Sequence, residues 1–375
     1  MRRFSLLFRM GLGAVLVLVG MAPALHSQSF TTFDVPDSTE TLPVAINLRG
    51  QIAGSYVSTT TDHNGNLRLG FVREPDGKIV VFDAGGTDEG QRTFATAISL
   101  GGRITGYVLD LPCLDCARSF LREADGTLTI FRVPVELASS EQQFTAPLAE
   151  VQNYIRGTSA TDINAVGQIT GVFAVVPSEL GFLRQRDGTI TTFTVPPAVD
   201  PPLSTPKTVP QSINDLGQIT GYANASTFTF HGFLRQRNGT FATFDPLDST
   251  NTYPEAINLL GEITGFYTTA DGVPHGFLRK HNGTIVTFDP PDSVGTQASA
   301  INLVGQIVGY YLDAGGSIHS FIRERDGRIT TFDAPGTGVV GTFAQDINLL
   351  GQIAGHYTDA TGTHGFVRWP HRARN

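Results

Sequence analysis

The sequence predicts an all-β chain: a seven-bladed β-propeller with four strands per blade, its ring closed by an N-terminal strand at 30–34 pairing with a C-terminal strand at 365–369. Three observations predict it. A unit of about 44 residues recurs along the chain, each copy divides into two hairpins, and the copies at the two ends are incomplete in complementary ways.

The unit is clearest over residues 257–289, INLLGEITGFYTTADGVPHGFLRKHNGTIVTFD. GEITGFY alternates apolar with polar or small residues, as a half-buried strand does, and it follows AIN and a short NLLG turn, which makes a first hairpin. In HGFLRKHNGTIVTFD, Asn282-Gly283 separates two alternating runs and suits the positive φ angles of a two-residue turn, which makes a second. That turn places Phe277 opposite Phe288 and Arg279 opposite Val286, the aromatic pair contributing roughly 0.2–1 kcal/mol. Four strands in this length, in order a to d, match one propeller blade.

The isoleucine of AIN recurs at Ile46, Ile98, Ile163, Ile213, Ile257, Ile301 and Ile347, so units start near 45, 97, 162, 212, 256, 300 and 346. Strand d also occurs seven times, ending at Asp34, Asp83, Arg132, Thr194, Asp245, Asp289 and Asp333, but its first copy precedes the first AIN. The last unit stops after HGFVRWP, with no d strand of its own. Pairing 30–34 with 365–369, with Phe33 facing Phe366, completes that unit and removes exposed sheet edges. A linear solenoid gives no reason for the permuted ends.

Before the repeats, residues 1–27 carry Arg2, Arg3 and Arg9, an apolar run from Met10 to Met21, and small residues around Ala22-Pro23-Ala24. This is the pattern of a secretory signal peptide, and the run is short for a membrane span. The repeats fill 28–370, and 371–375 form a basic tail. Removing the leader takes the formal net charge from -8 to -11. An acidic chain argues against nucleic acid and anionic membrane surfaces as partners, and is open to cations or basic partners. The expected location is secreted or periplasmic, with no stable membrane insertion after cleavage.

The only two cysteines, Cys113 and Cys116, fall in the b to c connection of the second unit. In an exported chain they are expected to form a local disulfide. Loop lengths separate two faces. The step from the AIN isoleucine to the next strand's isoleucine is six residues in all seven units, and the Phe to Phe step around the DG or NG turn is eleven in all six intact copies. All length variation sits in the d to a and b to c connections, on the opposite face. Any site is expected on that variable face, beside 133–160 and 195–210, since irregular loops on a rigid scaffold carry function.

Four histidines recur at the start of strand c: His231, His275, His319 and His364. Equivalent positions in neighbouring blades are too far apart to share a metal, so each is expected to hydrogen-bond within its own blade. An arginine recurs two residues after the strand c phenylalanine in every unit, at Arg73, Arg122, Arg184, Arg235, Arg279, Arg323 and Arg368. Seven copies of one charge suggest a repeated structural ion pair or hydrogen bond. Asp37, Asp248 and Asp292, in PDS or LDS turns, and Asp271, Asp313 and Asp359, in the b to c loops, are candidates for a Ca²⁺ site, which needs several oxygen ligands, and Asp is equally a standard turn residue. No other cofactor is indicated, and no HExxH, GxSxG, P-loop or paired-carboxylate signature supplies catalytic residues.

AIN, GQIxGxY, HGF or HSF, FxR and DGxIxTFDxP, repeated over about 29–369, resemble the HAF-type extracellular repeat proteins of bacteria, most specifically in units four to seven. The resemblance implies an exported bacterial repeat protein and carries no catalytic residues. The expected function is a non-catalytic binding or interaction module for a glycan, peptide or protein. The alternatives are a polysaccharide- or lactone-directed lyase or hydrolase with a site assembled across blades, and a calcium-stabilised surface scaffold.

Overall fold

The computed structural model describes residues 29–62, 65–85, 91–110, 113–134, 136–137, 155–175, 178–196, 207–224 and 229–370. The leader, the basic tail and most of the two long connections lie outside these residues. Twenty-eight strands run through the described part, in antiparallel groups of four. Single parallel bridges, Gly157 to Ala117, Ile318 to Gly341 and Glu40 to Thr363, join some neighbouring groups, and no sheet closes on itself. The strand Ser29–Phe33 pairs with Gly362–Trp369, from Ser29 opposite Trp369 to Phe33 opposite Gly365.

The expected register of the second hairpin is off by one residue. In the group Asn251–Ile257, Ile263–Thr268, Pro274–Arg279 and Ile285–Phe288, it is Gly276 that faces Phe288, while Phe277 faces Thr287 and Arg279 faces Ile285. The cause is the turn. Lys280 N donates to Thr284 O and Gly283 N to Lys280 O, so three residues, not two, form the loop. Only Gly283 takes a positive φ, 89°, and Asn282 instead accepts from Thr284 N through its side chain at 3.1 Å. The same one-residue shift sets Phe33 against Gly365 rather than Phe366.

The phenylalanines therefore pair between units. Phe82 packs edge-on against Phe120, Phe131 against Phe182, Phe244 against Phe277 and Phe288 against Phe321, with centroids 5.8–6.2 Å apart. Each strand c partner is fully buried. The arginine column belongs to the same contact. Its guanidinium lies over the strand d phenylalanine of the preceding unit, from Arg73 over Phe33 at 4.9 Å to Arg368 over Phe332 at 4.5 Å, in all seven copies. The expected hydrogen bond is present as well: in five units Nη1 donates to the next residue's carbonyl at 3.2–3.4 Å. The main partner is a ring face rather than an acid, a contact of about 0.5–2 kcal/mol depending on desolvation.

The asparagine of AIN ties the units edge to edge. Its Nδ2 donates to the backbone carbonyl of the equivalent residue one unit on: Asn164 to Asn214, Asn214 to Asn258, Asn258 to Asn302, Asn302 to Asn348, Asn47 to Ser99 and Asn348 to Asn47, all at 3.0–3.1 Å. The second unit has Ser99 in this place. There Arg103 Nη2 reaches Ala165 O at 2.9 Å instead.

Candidate ligand cavity

Every first strand carries a β-bulge at the same place. The register slips at Pro43/Ala45, Ala95/Ala97, Ala160/Asp162, Pro210/Ser212, Pro254/Ala256, Ala298/Ala300 and Ala344/Asp346. A bulge inserts one unpaired residue and re-aims its side chain. The inserted residues are Val44, Thr96, Thr161, Gln211, Glu255, Ser299 and Gln345, and all seven line one cavity of about 410 Å³. The second strand answers with a glycine. A Cβ on Gly265 would lie 2.1 Å from the Tyr253 carbonyl oxygen, so the bulged backbone fits only against glycine here.

Glu255 is the one charged group among the described residues that line this cavity. It is half-buried, has no hydrogen bond or ion pair among the described residues, and burial pushes its carboxyl up to about 7. Its charge is felt at Tyr222 and Tyr310, in the units on either side. Burial, reinforced by that charge, pushes Tyr222 up to about 12 and raises Tyr310. Tyr310 donates to Gln297 Oε1 at 2.7 Å. Half-buried aromatics flank the carboxylate: Tyr253 stacks on Phe266 at 5.0 Å, and Tyr222 meets Tyr253 edge-on at 5.2 Å. The equivalent stacked pairs are Phe94 on Tyr107 and Phe343 on His356. Burial pushes His356 down to about 4, and its Nδ1 has no partner.

Two further acids are fully engaged. Asp162 accepts from Ile213 N, Ser212 Oγ and Ile163 N, and Asp346 from Ile46 N and Ile347 N, so each bridges to a neighbouring unit. Burial raises both, Asp346 to about 6.

The residues singled out in the sequence fall elsewhere. His231, His275 and His319 bond through Nδ1 to Asp245, Asp289 and Asp333 at the end of their own units, and His364 bonds to Asp34. His319 and His364 use Nε2 on Asp313 and Asp359. Burial lowers His319, but its two carboxylates outweigh that and raise it overall. Asp271, Asp313 and Asp359 each cap their own turn, held below the usual carboxylate range by the Thr269 hydroxyl and Val273 N–H, by Ser317 N–H and His319, and by the Thr361 hydroxyl and N–H, respectively. Among the described residues no three His, Cys, Asp or Glu side chains converge on a metal site. Asp37, Asp248 and Asp292 take φ of 58–63°, as left-handed turn residues. Cys113 opens the strand Cys113–Arg122 rather than lying in a turn, and the side chains of Cys113 and Cys116 lie outside the described ones. The loops 133–160 and 195–210 are largely outside the described residues too.

The seven lining positions were missed, although each stands two residues before the AIN isoleucine. Their signal is internal: this column takes five residue types in seven units and is polar in six of seven, while the residue before it is only proline or alanine and the one after it alanine, serine or aspartate.

No protein-family profile matches the chain, and no curated protein matches it by sequence. Its fold is shared with solved structures. A structure described as streptogramin B lyase matches 90% of this chain and 97% of its own, with TM-score 0.53 and 13% identity. The β-propeller domain of the trilobed protease from Pyrococcus furiosus, described as having an open velcro topology, matches 89% and 96%, with TM-score 0.56 and 10% identity. The acylaminoacyl peptidase of Pyrococcus horikoshii matches 89% of this chain with TM-score 0.55 and 10% identity, and the match spans only 52% of the peptidase. At such identities the likeness shows fold alone: this is an all-β chain of the β-propeller class.

Proposed function

We propose that the chain is an exported seven-bladed β-propeller, closed between its first and last blades, and that it is a non-catalytic binding module taking a small molecule, or the end of a glycan or peptide, into the axial cavity. The observation that carries this is the cavity itself, to which every blade contributes its bulge residue and in which Glu255 has no partner among the described residues. A concave site with a few convergent polar groups among apolar and aromatic ones suits a small ligand. The closed ring is supported by the pairing of Ser29–Phe33 with Gly362–Trp369 and by the bonds from Asn348 to Asn47 and from Ile46 to Asp346. Export is supported by the leader pattern of residues 1–27 and by the HAF-type repeats, and the Cys113–Cys116 disulfide belongs to the same reading. Three wall hydroxyls are committed: Thr96 and Thr161 donate to backbone carbonyls and Tyr310 to Gln297.

A second reading has one observation in its favour. A carboxylate pushed up to about 7 is in the range of a general base at neutral pH, which suits a lyase or hydrolase. The test is thermal unfolding of the chain against oligosaccharides, peptides and Ca²⁺ with chelator controls, each hit being checked for turnover and repeated on Ser299→Trp, which places an indole in the cavity. A ligand at 100 times its Kd adds about 2.7 kcal/mol. The shift is expected without turnover and is expected to vanish in Ser299→Trp. A shift that survives the substitution puts binding on the variable face, and product formation replaces the module with an enzyme.

A further inference from the structure

Resting on the cavity reading above, we infer that the cavity selects organic ammonium ligands, with Glu255 as the counter-ion and Phe266 and Tyr310 as the aromatic walls. The lining holds one carboxylate, three glutamines and no lysine, arginine or histidine among the described residues. Its charge is therefore uncompensated. Asp162 and Asp346, the other deep acids of the first strands, spend every described contact on backbone N–H groups and on Ser212, so Glu255 alone is open to a ligand. An anion would meet that charge unscreened. A neutral ligand would leave it buried without a partner. A cation would satisfy it and also be attracted by the negative faces of the rings, as in aromatic cages for ammonium groups. Gln345 offers an amide oxygen for an N–H donor, and Gln297 the second lone pair of the Oε1 that already accepts from Tyr310. Outside the cavity, the net charge of -8 raises the local concentration of cations.

Two sources share this chemistry, a quaternary ammonium group and a protonated amino sugar, and the test separates them. The full chain is titrated calorimetrically with choline against uncharged dimethylbutanol, and with glucosamine against glucose, for the wild type and Glu255→Gln. Gln211 and Gln345 already occupy the equivalent bulges, so this substitution is compatible with the fold. At least one ammonium is expected to bind roughly tenfold or more tightly than its neutral counterpart, and Glu255→Gln is expected to erase the difference. Preference for choline identifies the ring faces as the main attraction, and preference for glucosamine identifies the hydrogen-bonding groups.

Equal binding of charged and neutral members, a preference that survives Glu255→Gln, or no binding of either ammonium would overturn the inference. Neutral binding that is lost in Ser299→Trp but indifferent to Glu255 would do so while leaving the binding module standing. Binding by none of these four, with no cavity-dependent shift from the wider panel, would remove both.

Discussion

Replacing Arg323 and Phe288 singly and together tests how the units are held to one another. The Arg323 guanidinium lies 5.0 Å from the Phe288 centroid, only 7% of the arginine is exposed, and its Nη1 donates to Glu324 O at 3.3 Å. A stack this far removed from water is worth about 1–2 kcal/mol, and the backbone hydrogen bond adds about 1 kcal/mol. Arg323→Met keeps the aliphatic volume and removes both, so a loss of about 2–3 kcal/mol is expected. Phe288→Leu removes the ring and also its edge contact with Phe321 at 5.9 Å. The double-mutant cycle isolates the shared part, expected at about 1 kcal/mol. Urea unfolding followed by circular dichroism and by the fluorescence of Trp369, the single tryptophan, measures it, and coincident transitions license the free energies. Arg323→Met combined with Phe82→Leu, units away, should be additive. A coupling below about 0.3 kcal/mol for the contacting pair would mean that the guanidinium column does not act through the rings.

Gly265→Ala should cost about 2 kcal/mol or more, because the new Cβ would meet the Tyr253 carbonyl at 2.1 Å and Pro254 Cα at 2.8 Å; an unchanged urea midpoint would show that the bulged strand gives way freely. Glu255 binds its proton more tightly folded, at about 7, than unfolded, near 4.5, so its own contribution to stability is fully present below 4.5 and is lost as pH rises through 7. Glu255→Gln lacks that fall and should gain on the wild type between pH 5 and 8, by at most roughly 3 kcal/mol and by less as cavity water screens the charge; parallel pH curves would contradict this. His356 is shifted the other way, to about 4 from 6.5, so the unfolded chain takes the proton first and stability falls as pH drops between those values. His356→Phe keeps the stack on Phe343 and should flatten the acid side of the profile, measured as the difference in Tm between pH 7 and 4.5; an unchanged acid loss would locate it in other groups.

The repeat, its strands and its turns were legible because each is local. Alternation over GEITGFY and the fixed six-residue step from Ile257 to Ile263 mark strands and turn with no knowledge of what lies beside them. The hairpin register was misread because Asn-Gly fits a two-residue turn as well as the three-residue one in which only Gly283 has positive φ. One residue of slip moved the expected Phe277–Phe288 pair out of the hairpin and gave Phe288 to Phe321 in the next unit. The asparagine of AIN had no readable role, since the acceptor of Asn258 is 44 residues away. The cavity was hidden for a related reason. A bulge leaves no mark on composition, so Glu255 reads as one more polar residue of an alternating strand, and only the ladder shows that it is the unpaired one.

The bulges also divide the labour of the chain. At each of them the ladder skips one residue, and the contacts that hold the unit, its glycine, its buried phenylalanine and its arginine, lie on either side of the skip. The skipped position carries valine, threonine, glutamine, glutamate or serine within this one molecule, on a backbone that hardly differs. The arrangement works like a combination lock with seven dials: the body is common, and only the dials differ. On the binding reading proposed above, changing what the cavity takes is a matter of resetting single letters at 44, 96, 161, 211, 255, 299 and 345, with the housing left as it is.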